Sequence, residues 1–326
     1  MSLTTAEART ALPAAPRLTS TVAKEYVHRD SVAEVFLTGC DSRDGTNFAL
    51  TGQWPRAHTM FRSQDGTSHD PLQIAETFRQ AGIYVSHVEL GVPLGHNFVM
   101  SSITYTADPE NLRIASNPTD FDLDTRCTDI VRRRGVASRV AFEFALRRGG
   151  RSLAGGTGQI SVIPPAVYDR LRRNRAAQPP VTEPQPARDP LPPALVGRPF
   201  TTDVVLSPAP GPASGGNPRW LLTPDLDHPI LFDHKGDHVP GMVLLEAARQ
   251  AACATMAPRP FTPTAAANDF HQYAELDRPC WIEVTRVEHE PGNMVTMEIT
   301  GRQDGKNVFT SVLTGPTGQA GRPGPR

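Results

Sequence analysis

The chain has 326 residues, a formal net charge of −1 at pH 7 and an isoelectric point of about 6.8. This length exceeds that of one typical domain, so two cores of roughly 110–150 residues are expected. The balanced charge argues against nucleic acid or a charged membrane surface as the partner. No apolar run approaches the roughly 20 residues of a membrane span, and the first residues lack the pattern of a secretion signal, which together favour a cytoplasmic protein.

Cysteines and nucleophile motifs narrow the chemistry further. Cys40, Cys127, Cys253 and Cys280 are scattered, with no CxxC pair among them. Neither a disulfide nor a metal site is therefore expected. The sequence has no GxSxG segment and no Ser/His/Asp pattern, so a covalent nucleophile of the serine-hydrolase type is not expected either.

Composition divides the chain into five parts. Residues 1–20 are rich in Ala, Thr and Pro and are predicted to form a mobile arm. Prolines are frequent between 174 and 200, and because proline lacks an amide donor and fixes its own φ, an extended linker is predicted there. The two domains are expected at 21–173 and 201–316, followed by a Gly- and Pro-rich tail at 317–326.

The predicted elements follow the same order in both halves. The first half opens with a strand-like stretch at 26–37, has a helix near 71–88 and continues with alternating, β-rich segments. The second half opens with a strand-like stretch at 201–208 and has its helix near 241–257. One long helix with five or six antiparallel strands per half is an α+β layer arrangement.

An internal repeat relates the two halves. At an offset of 170 residues, IAETFRQA (74–81) aligns with LLEAARQA (244–251). The alignment matches polar residues in pairs: Glu76 with Glu246, Arg79 with Arg249, Gln80 with Gln250 and, upstream without a gap, His58 with His228. The shared order of elements indicates a duplicated domain.

Charged residues on the two helices need an explanation. The helix near 241–257 is apolar almost all round, and Glu246 and Arg249 lie on one face of it. Burying such ions is unfavourable unless they are paired, so they form either a structural ion pair or part of a site. The first helix is more polar, which makes Glu246 and Arg249 the primary candidates. Glu76 and Arg79 are then their partners across a pseudo-twofold axis or a remainder of the duplication.

Two family resemblances rest on these segments. DHVPGMVLLEAARQAA resembles the Pro-Gly helix of hotdog-fold dehydratases that act on acyl carrier protein substrates, in which Glu246 and His228 look like the paired glutamate and histidine. HDPLQIAETFRQA with GVPLGHNFVM, followed by DHVPGMVLLEAARQAA with YAEL and PCWIEV, resembles the A-factor synthase family over nearly the whole chain. These are γ-butyrolactone and furan signalling-molecule synthases of filamentous actinobacteria.

The second resemblance implies both a fold and a reaction. The fold is a double hotdog, in which each domain packs a long helix on an antiparallel sheet. The reaction is the transfer of a β-ketoacyl group from acyl carrier protein to dihydroxyacetone phosphate, which makes the chain an acyltransferase. It implies no cofactor, because the acyl group arrives on the phosphopantetheine arm of the carrier. A monomer with an internal pseudo-dimer or a homodimer is expected.

The implied reaction suggests roles for the matched residues. A glutamate on an apolar helix, Glu246 or Glu76, is expected to have a raised pKa and to act as the base. Amides of Gly241 and Met242 at a helix N-terminus suit a thioester oxygen. Arg249 suits the phosphate, because a guanidinium binds it bidentately.

Other polar residues are candidates for substrate binding. They are Arg79, Gln80, Gln250, His58, His228 and His238. His58 and His228 each precede a loop, so the alternative role is to hydrogen-bond the backbone. His238 lies beside the start of the second helix, where it either orients a substrate oxygen or stabilises the turn.

Two other functions remain as alternatives. One is a dehydratase or hydratase that acts on acyl thioesters, and the other is a non-catalytic acyl-ligand sensor. An arginine three positions after each glutamate argues against the dehydratase, because dehydration of a neutral acyl chain does not use a guanidinium there. No DNA-binding helix pair or basic stripe supports direct gene regulation.

Overall fold

The computed structural model describes residues 18–176, 187–209, 216–234 and 236–318. Parts of three predicted segments lie outside the described residues: 1–17 of the arm, 177–186 of the linker and 319–326 of the tail. No helix of the described residues is long and apolar enough to span a membrane.

Three α-helices are present in the described part of the chain: α1 (Leu72–Tyr84), α2 (Pro165–Ala176) and α3 (Gly241–Met256). A π-helical turn at Val85–Glu89 extends α1. The predicted helices near 71–88 and 241–257 are confirmed to within the usual uncertainty of helix ends. α2 was not predicted. It begins with proline, which the first helical turn favours, and it reaches the first residues of the predicted linker.

Twelve strands form a single sheet in the described residues. They are β1 (Leu37–Ser42), β2 (Asn47–Trp54), β3 (Asn97–Ala107), β4 (Thr119–Arg133), β5 (Val136–Arg148), β6 (Arg151–Ile163), β7 (Leu206–Pro208), β8 (Arg219–Leu222), β9 (Ala265–Phe270), β10 (Cys280–Glu290), β11 (Met294–Gln303) and β12 (Lys306–Pro316). Their order is β1-β2-β4-β5-β6-β3-β9-β12-β11-β10-β8-β7, and neighbours are antiparallel.

The strand order reads the same from either edge once the halves are matched. Each half contributes six strands, and the halves join where β3 pairs with β9, from Ser102↔Asp269 to Thr106↔Ala265. α1 packs on β3 and β6, whereas α3 packs on β10, β11 and β12. The structure therefore shows one long core helix on six antiparallel strands in each half, as the sequence predicts.

The strand-like openings of the two halves are mostly not strands. The stretch at 26–37 contains a 3-10 turn at Val32–Glu34, and the stretch at 201–208 contains one at Thr201–Asp203. Regular pairing begins only at β1 and β7. Alternation of apolar residues does occur in these openings, but their backbones bind side chains of the core helices.

Gln80 and Gln250 supply those side chains. Gln80 Oε1 accepts the amide of Phe36 (3.0 Å), and its Nε2 donates to the carbonyl of Glu34 (2.8 Å). Gln250 makes the same two bonds to Val205 and Asp203. Each glutamine thus takes the place of a neighbouring strand, which is a structural task.

The last residues of the predicted linker belong to the second half. The backbone at Leu191 pairs with that of Leu206 (2.9 Å), as Val22 pairs with Leu37 in the first half. A 3-10 turn follows at Pro193–Val196, and Arg198 beyond it is completely buried. Residues 187–200 therefore repeat the packing of 18–31, whereas an extended linker was predicted over all of 174–200.

Close contacts from β3 and α1 make a testable demand on Gly156 in β6. A Cβ added at Gly156 would lie 2.1 Å from the Thr104 oxygen and 2.9 Å from Phe78, whereas one at Gly155 would meet nothing closer than 3.5 Å. Because overpacking a core costs about 1–3 kcal/mol, Gly156→Ala is expected to lower the free energy of unfolding by at least that much.

Urea unfolding of the two alanine variants checks this expectation. Gly155→Ala is the matched control and is expected to stay within about 0.5 kcal/mol of the parent protein. Equal losses in the two variants would show that the close contacts of β3 and α1 do not set the need for glycine at position 156.

Candidate active site

A cavity of about 690 Å³ lies between the two halves. The first half lines it with α1 and the start of β3, and the second half lines it with the start of α3 and the end of β9. Its apolar wall includes Ile83, Phe98, Met100, Leu244 and Phe270. Pockets of about 300–1,000 Å³ with a few convergent polar groups are typical of small-molecule sites.

Glu76 lies beside this cavity in a buried ion cluster. Its carboxylate accepts bonds from Arg79 (2.8 Å), Gln80 (2.7 Å) and Arg29 (2.7 Å). Burial by itself raises the pKa of Glu76, but the arginines Arg29 and Arg79 outweigh it and lower the pKa to about 2. The expectation of a raised pKa is wrong for Glu76, and its carboxylate is bonded to Arg29, Arg79 and Gln80 and does not line the cavity.

Glu246 lies in the duplicate cluster. Arg198 donates to it at 2.7 and 2.5 Å, Arg249 at 2.8 and 2.7 Å, and Gln250 at 2.6 Å. Burial raises the pKa of Glu246, but Arg198 and Arg249 lower it well below its usual range. A raised pKa is therefore wrong here too, because each carboxylate has two guanidinium partners and not one.

The second arginine of each cluster escaped the sequence analysis. Arg29 and Arg198 match at an offset of 169 residues, one less than the helices, and Arg198 lies in the predicted linker. Both reach into the opposite half, where Arg29 donates to the carbonyl of Ile230 (3.0 Å) and Arg198 to that of Met60 (2.6 Å). A shared Val-x-Arg pattern, VHR and VGR, is the signal that links the two arginines.

Asp70 makes the two clusters unequal. Its carboxylate lies 3.0 Å from Arg198 and 4.0 Å from Arg249, so a second anion neutralises the Glu246 cluster. The residue at the matched position in the second half is Pro240, which carries no charge. In the Glu76 cluster the additional carboxylate, Asp233, is 3.8 Å from Arg29.

The two clusters also differ in whether their arginines reach the cavity. Arg29 and Arg79 line it, whereas Arg249 does not, and neither glutamate does. Arg79 uses Nε and Nη2 in its bonds to Glu76 and to the Val27 carbonyl, and its Nη1 has no hydrogen-bond partner among the described residues. The open cation is thus in the first half, although the sequence ranks Glu246 and Arg249 higher. Glu76, Glu246 and Arg249 lie in two clusters and do not form one site.

The start of α3 borders the cavity. Gly241 and Met242 line it, and no side chain caps the helix. The first amides of a helix have no carbonyl acceptor within the helix and carry its positive dipole. A Cβ at Gly241 would come within 3.3 Å of Phe270, so glycine lets the aromatic ring pack against the helix start.

His58 and His228 hold loops and do not line the cavity. Nδ1 of His58 accepts two backbone amides and its Nε2 meets Glu34 at 3.3 Å. His228 repeats this arrangement, with Nε2 at 3.0 Å from Asp203. With both ring nitrogens engaged, the backbone-bonding alternative describes these two histidines.

His238 lies at the cavity wall with support from α2. Its Nδ1 is 2.7 Å from Asp237, which also accepts from Tyr168 (2.6 Å) and Arg172 (2.7 Å). Burial raises the pKa of Asp237, but these three bonds lower it to about 2, so the carboxylate stays ionised beside the ring. The unpredicted helix α2 thus positions one predicted residue.

Other histidines on this cavity were not selected from the sequence. His28, His96, His234 and His271 line it, and His87 contacts His28. They come from separate segments of the chain and share no motif. Within the described residues, no group of three or more His, Cys, Asp or Glu side chains is arranged to hold a metal ion.

Comparison with known proteins assigns the family. A family model described as the A-factor biosynthesis hotdog domain matches residues 10–164 and again 181–316. The chain belongs to the A-factor biosynthesis hotdog family. The second match includes 187–200, which the structure also places in the second half.

Curated relatives of this family cover nearly the whole chain. A 2-oxo-3-(phosphooxy)propyl 3-oxoalkanoate synthase of Streptomyces virginiae is 45% identical over 93% of this chain and 100% of its own length. A synthase of the same name from Streptomyces coelicolor is 39% identical over 89% of this chain and 90% of its own length. The chain is thus similar to named synthases over its full architecture.

Solved structures confirm the predicted double hotdog fold. A putative oleoyl thioesterase from Lactobacillus plantarum has a TM-score of 0.53 at 11% identity, and the match covers 84% of this chain and 97% of that one. At this identity the likeness concerns the fold alone. The α+β double hotdog expected for this family member is therefore correct.

Replacing Glu246 tests whether the closed cluster is structural. Glu246→Gln leaves Arg198 and Arg249 buried with Asp70 as their remaining carboxylate. Because breaking a buried ion pair costs about 3–5 kcal/mol, the variant is expected to lose about that much stability in urea unfolding. Glu143→Gln, which removes the exposed partner of Arg126, is the control and should cost about 0–1 kcal/mol. Similar small losses in both variants would contradict the structural role.

Buried histidines predict how stability depends on pH. Burial and then Arg79 lower the pKa of His28 to about 3, and burial lowers that of His69 to about 4. In the unfolded chain both histidines bind protons below about pH 6.5, so stability present above that value is lost as pH falls toward 4. Each contributes a slope of at most about 1.4 kcal/mol per pH unit.

Unfolding free energies measured between pH 7.5 and 4.5 check this window. His28→Asn removes one of the histidines whose pKa is lowered by folding and should flatten the slope. Asparagine tolerates the left-handed backbone at this position. An unchanged slope in that variant would show that His28 is not buried in its neutral form.

Proposed function

We propose that this protein transfers a 3-oxoacyl group from a thioester to the primary hydroxyl of dihydroxyacetone phosphate, which yields a 2-oxo-3-(phosphooxy)propyl 3-oxoalkanoate. Relatives at 36–45% identity carry the name of that synthase. The observation that carries the proposal is the cavity itself, which combines an open guanidinium, a helix N-terminus and a long apolar wall.

Arg79 is the proposed phosphate ligand. The Glu76 cluster sets two arginines, Arg29 and Arg79, against one closely bound carboxylate, and both arginines line the cavity. Nη1 of Arg79 is free to donate charge-assisted hydrogen bonds to a phosphate oxygen, while Nε and Nη2 stay bonded to Glu76 and to the Val27 carbonyl. Burial and then Arg79 and Arg29 lower the pKa of His234, so this neighbour is neutral and can donate one hydrogen bond.

The start of α3 is the proposed oxyanion site. The amides of Gly241 and Met242 are free of helical acceptors and border the cavity. As the thioester carbonyl becomes tetrahedral, charge collects on its oxygen, and preorganised amides stabilise that charge more than they stabilise the ground state. The apolar residues that follow on α3, Leu244 and Leu245, continue the wall along which the acyl chain would lie.

Direct transfer without an acyl-enzyme is part of the proposal. No serine, threonine or cysteine is among the described residues that line the cavity. Cys253 is buried in the closed cluster, where it accepts from Arg249 (3.4 Å), and burial raises the pKa of its thiol. A thiol in that state is a poor nucleophile.

An acyl carrier protein is the proposed acyl donor. α2 borders the cavity and presents the exposed residues Arg170, Leu171 and Arg173 beside the wall residues Tyr168 and Arg172. Exposed arginines around an apolar side chain suit an acidic carrier surface. Because both halves of one chain supply the cavity wall, a single chain suffices for this reaction.

Mass spectrometry of products separates this function from its alternatives. The protein is incubated with a 3-oxoacyl carrier protein, with and without dihydroxyacetone phosphate. The synthase gives a phosphorylated ester only when both are present. Loss of water from the acyl chain would instead indicate a dehydratase, free 3-oxo acid a thioesterase, and an unchanged bound ligand a sensor.

Arg79→Lys tests the phosphate site. The lysine keeps a charge, but its single ammonium cannot bond Glu76 and a phosphate in the way that the separate nitrogens of a guanidinium can, so KM for dihydroxyacetone phosphate is expected to rise by about tenfold or more, while KM for the acyl donor stays within about twofold. Arg29 still pairs Glu76, which keeps the cluster folded. Arg126→Lys, at an exposed ion pair, is the matched control. Equal rises in the two KM values would argue against a phosphate-specific role.

A further inference from the structure

The backbone at His28 is unusual for a residue with a side chain. His28 ends a 3-10 turn at Lys24–Val27 with φ 52° and ψ 60°, in the left-handed region. Residues other than glycine rarely occupy this region, and strain of this kind costs about 1–3 kcal/mol. Such strain persists where the surrounding structure, and often function, requires it.

The second half uses glycine at the matched position. Gly197, at an offset of 169 residues, ends the 3-10 turn at Pro193–Val196 with φ 66° and ψ 34°. A Cβ at Gly197 would already be 3.4 Å from Arg249 Nη1 and 3.8 Å from Cys253 Sγ. The same turn thus carries an imidazole beside the open cavity and no side chain beside the closed cluster.

A chain of hydrogen bonds fixes the proton positions on His28. The carbonyl oxygen of Val92 lies 2.8 Å from His87 Nδ1, so this nitrogen donates. Burial lowers the pKa of His87, which leaves its Nε2 unprotonated as an acceptor. His28 Nε2, 2.9 Å away, must then donate to it, and the lone pair of His28 is on Nδ1.

Neighbouring groups hold this ring on the cavity wall. Phe98 packs edge-on against His28, with ring centroids 5.1 Å apart, and is 4.9 Å from His87. His28 and Arg79 both line the cavity. The position matched to His87 in the second half is Ala257, so the histidine pair exists only beside the open cluster.

We propose that His28 is the general base of the acyl transfer, with His87 as its positioning residue. This assignment rests on the proposed function. Nδ1 of His28 takes the hydroxyl proton of dihydroxyacetone phosphate as the hydroxyl oxygen bonds to the thioester carbonyl carbon. The tetrahedral intermediate then expels the thiolate as the C–S bond breaks. The proton returns from Nδ1 to sulfur, which gives the ester and the free thiol.

Electrostatics favour the neutral ring before substrate binds. Burial is the largest cause of the lowered pKa of His28, and Arg79 from α1, His87 from the π-turn and His234 from the loop ahead of α3 add to it. A phosphate dianion against Arg79 offsets part of that positive charge and raises the basicity of His28 when substrate is present.

His238 is the rival candidate on the same cavity. Its Nδ1 meets Asp237, an arrangement that leaves Nε2 as its free nitrogen. His238 bonds to Tyr168 of α2 and to Asp237 at the half-exposed edge of the cavity. Unlike His28, it has no left-handed backbone, and its tautomer is not set by a chain of hydrogen bonds that ends on a carbonyl. The experiment below therefore includes a His238 variant.

His28→Gly restores the residue that the second half carries and leaves room for a free imidazole. With saturating substrates, kcat of ester formation is expected to fall by at least about 100-fold, and KM for dihydroxyacetone phosphate is expected to change less than threefold. Added imidazole should recover at least tenfold of the lost rate. His289→Asn, at an exposed position of β10, is the control and should keep the full rate.

The positioning role of His87 has its own readout. His87→Ala frees His28 to change tautomer and should lower kcat by about tenfold, whereas His87→Gln retains an amide oxygen that accepts from Nε2 and should restore most of that loss. A gain in melting temperature without any recovery of rate in the glutamine variant would overturn this role.

The possible outcomes distinguish a failure of the His28 assignment from a failure of the proposed function. If the parent protein forms no ester, the proposed function fails. If the parent protein forms ester and His28→Gly keeps kcat within about threefold, the assignment of His28 is wrong while the proposed function stands. The same conclusion follows if His238→Gln alone abolishes the reaction and imidazole does not rescue His28→Gly.

Discussion

The structure depends on one repeated interaction, the buried ion pairing of a glutamate with two arginines. A buried ion is destabilising by several kcal/mol unless its hydrogen bonds are complete. Glu76 and Glu246 obtain them from an arginine one helical turn away, from a glutamine and from an arginine ahead of the domain. The same clusters order the segments before β1 and β7, because the glutamines bind their backbones.

These clusters also connect the two halves. Arg29 completes its bonding on a carbonyl of the second half, and Arg198 on a carbonyl of the first. These two bonds join the halves in addition to the backbone pairing of β3 with β9.

Duplication also permitted the two copies to differ. Asp70 supplies a resident carboxylate to one cluster, and Pro240 at the matched place supplies none to the other. Gly197 and Cys253 fill the closed side with small groups, where the open side has His28 and Ile83. One copy has thereby become a closed, stabilising core, and the other has kept an open cavity beside Arg79, whose Nη1 has no hydrogen-bond partner among the described residues.

The sequence by itself determined the duplicated α+β fold, the two core helices and the correspondence of Glu76 with Glu246. Hydrophobic periodicity and a constant offset between repeats can be read from the sequence without knowing which segments come into contact. It also indicated the helix start at Gly241–Met242, because Pro-Gly ahead of an apolar run signals an uncapped N-terminus. The sequence ranked the residues of α3 above those of α1 as site candidates because α3 is more apolar, and this ranking did not identify the half whose cluster borders the cavity. Only the tertiary structure decided which cluster borders the cavity. It also decided the lowered pKa of both glutamates and the grouping of His28, His87 and His234. The groups that bond these side chains lie about 50 to 200 residues away in the chain. Burial, charge compensation and the space around a side chain depend on which distant segments folding brings together.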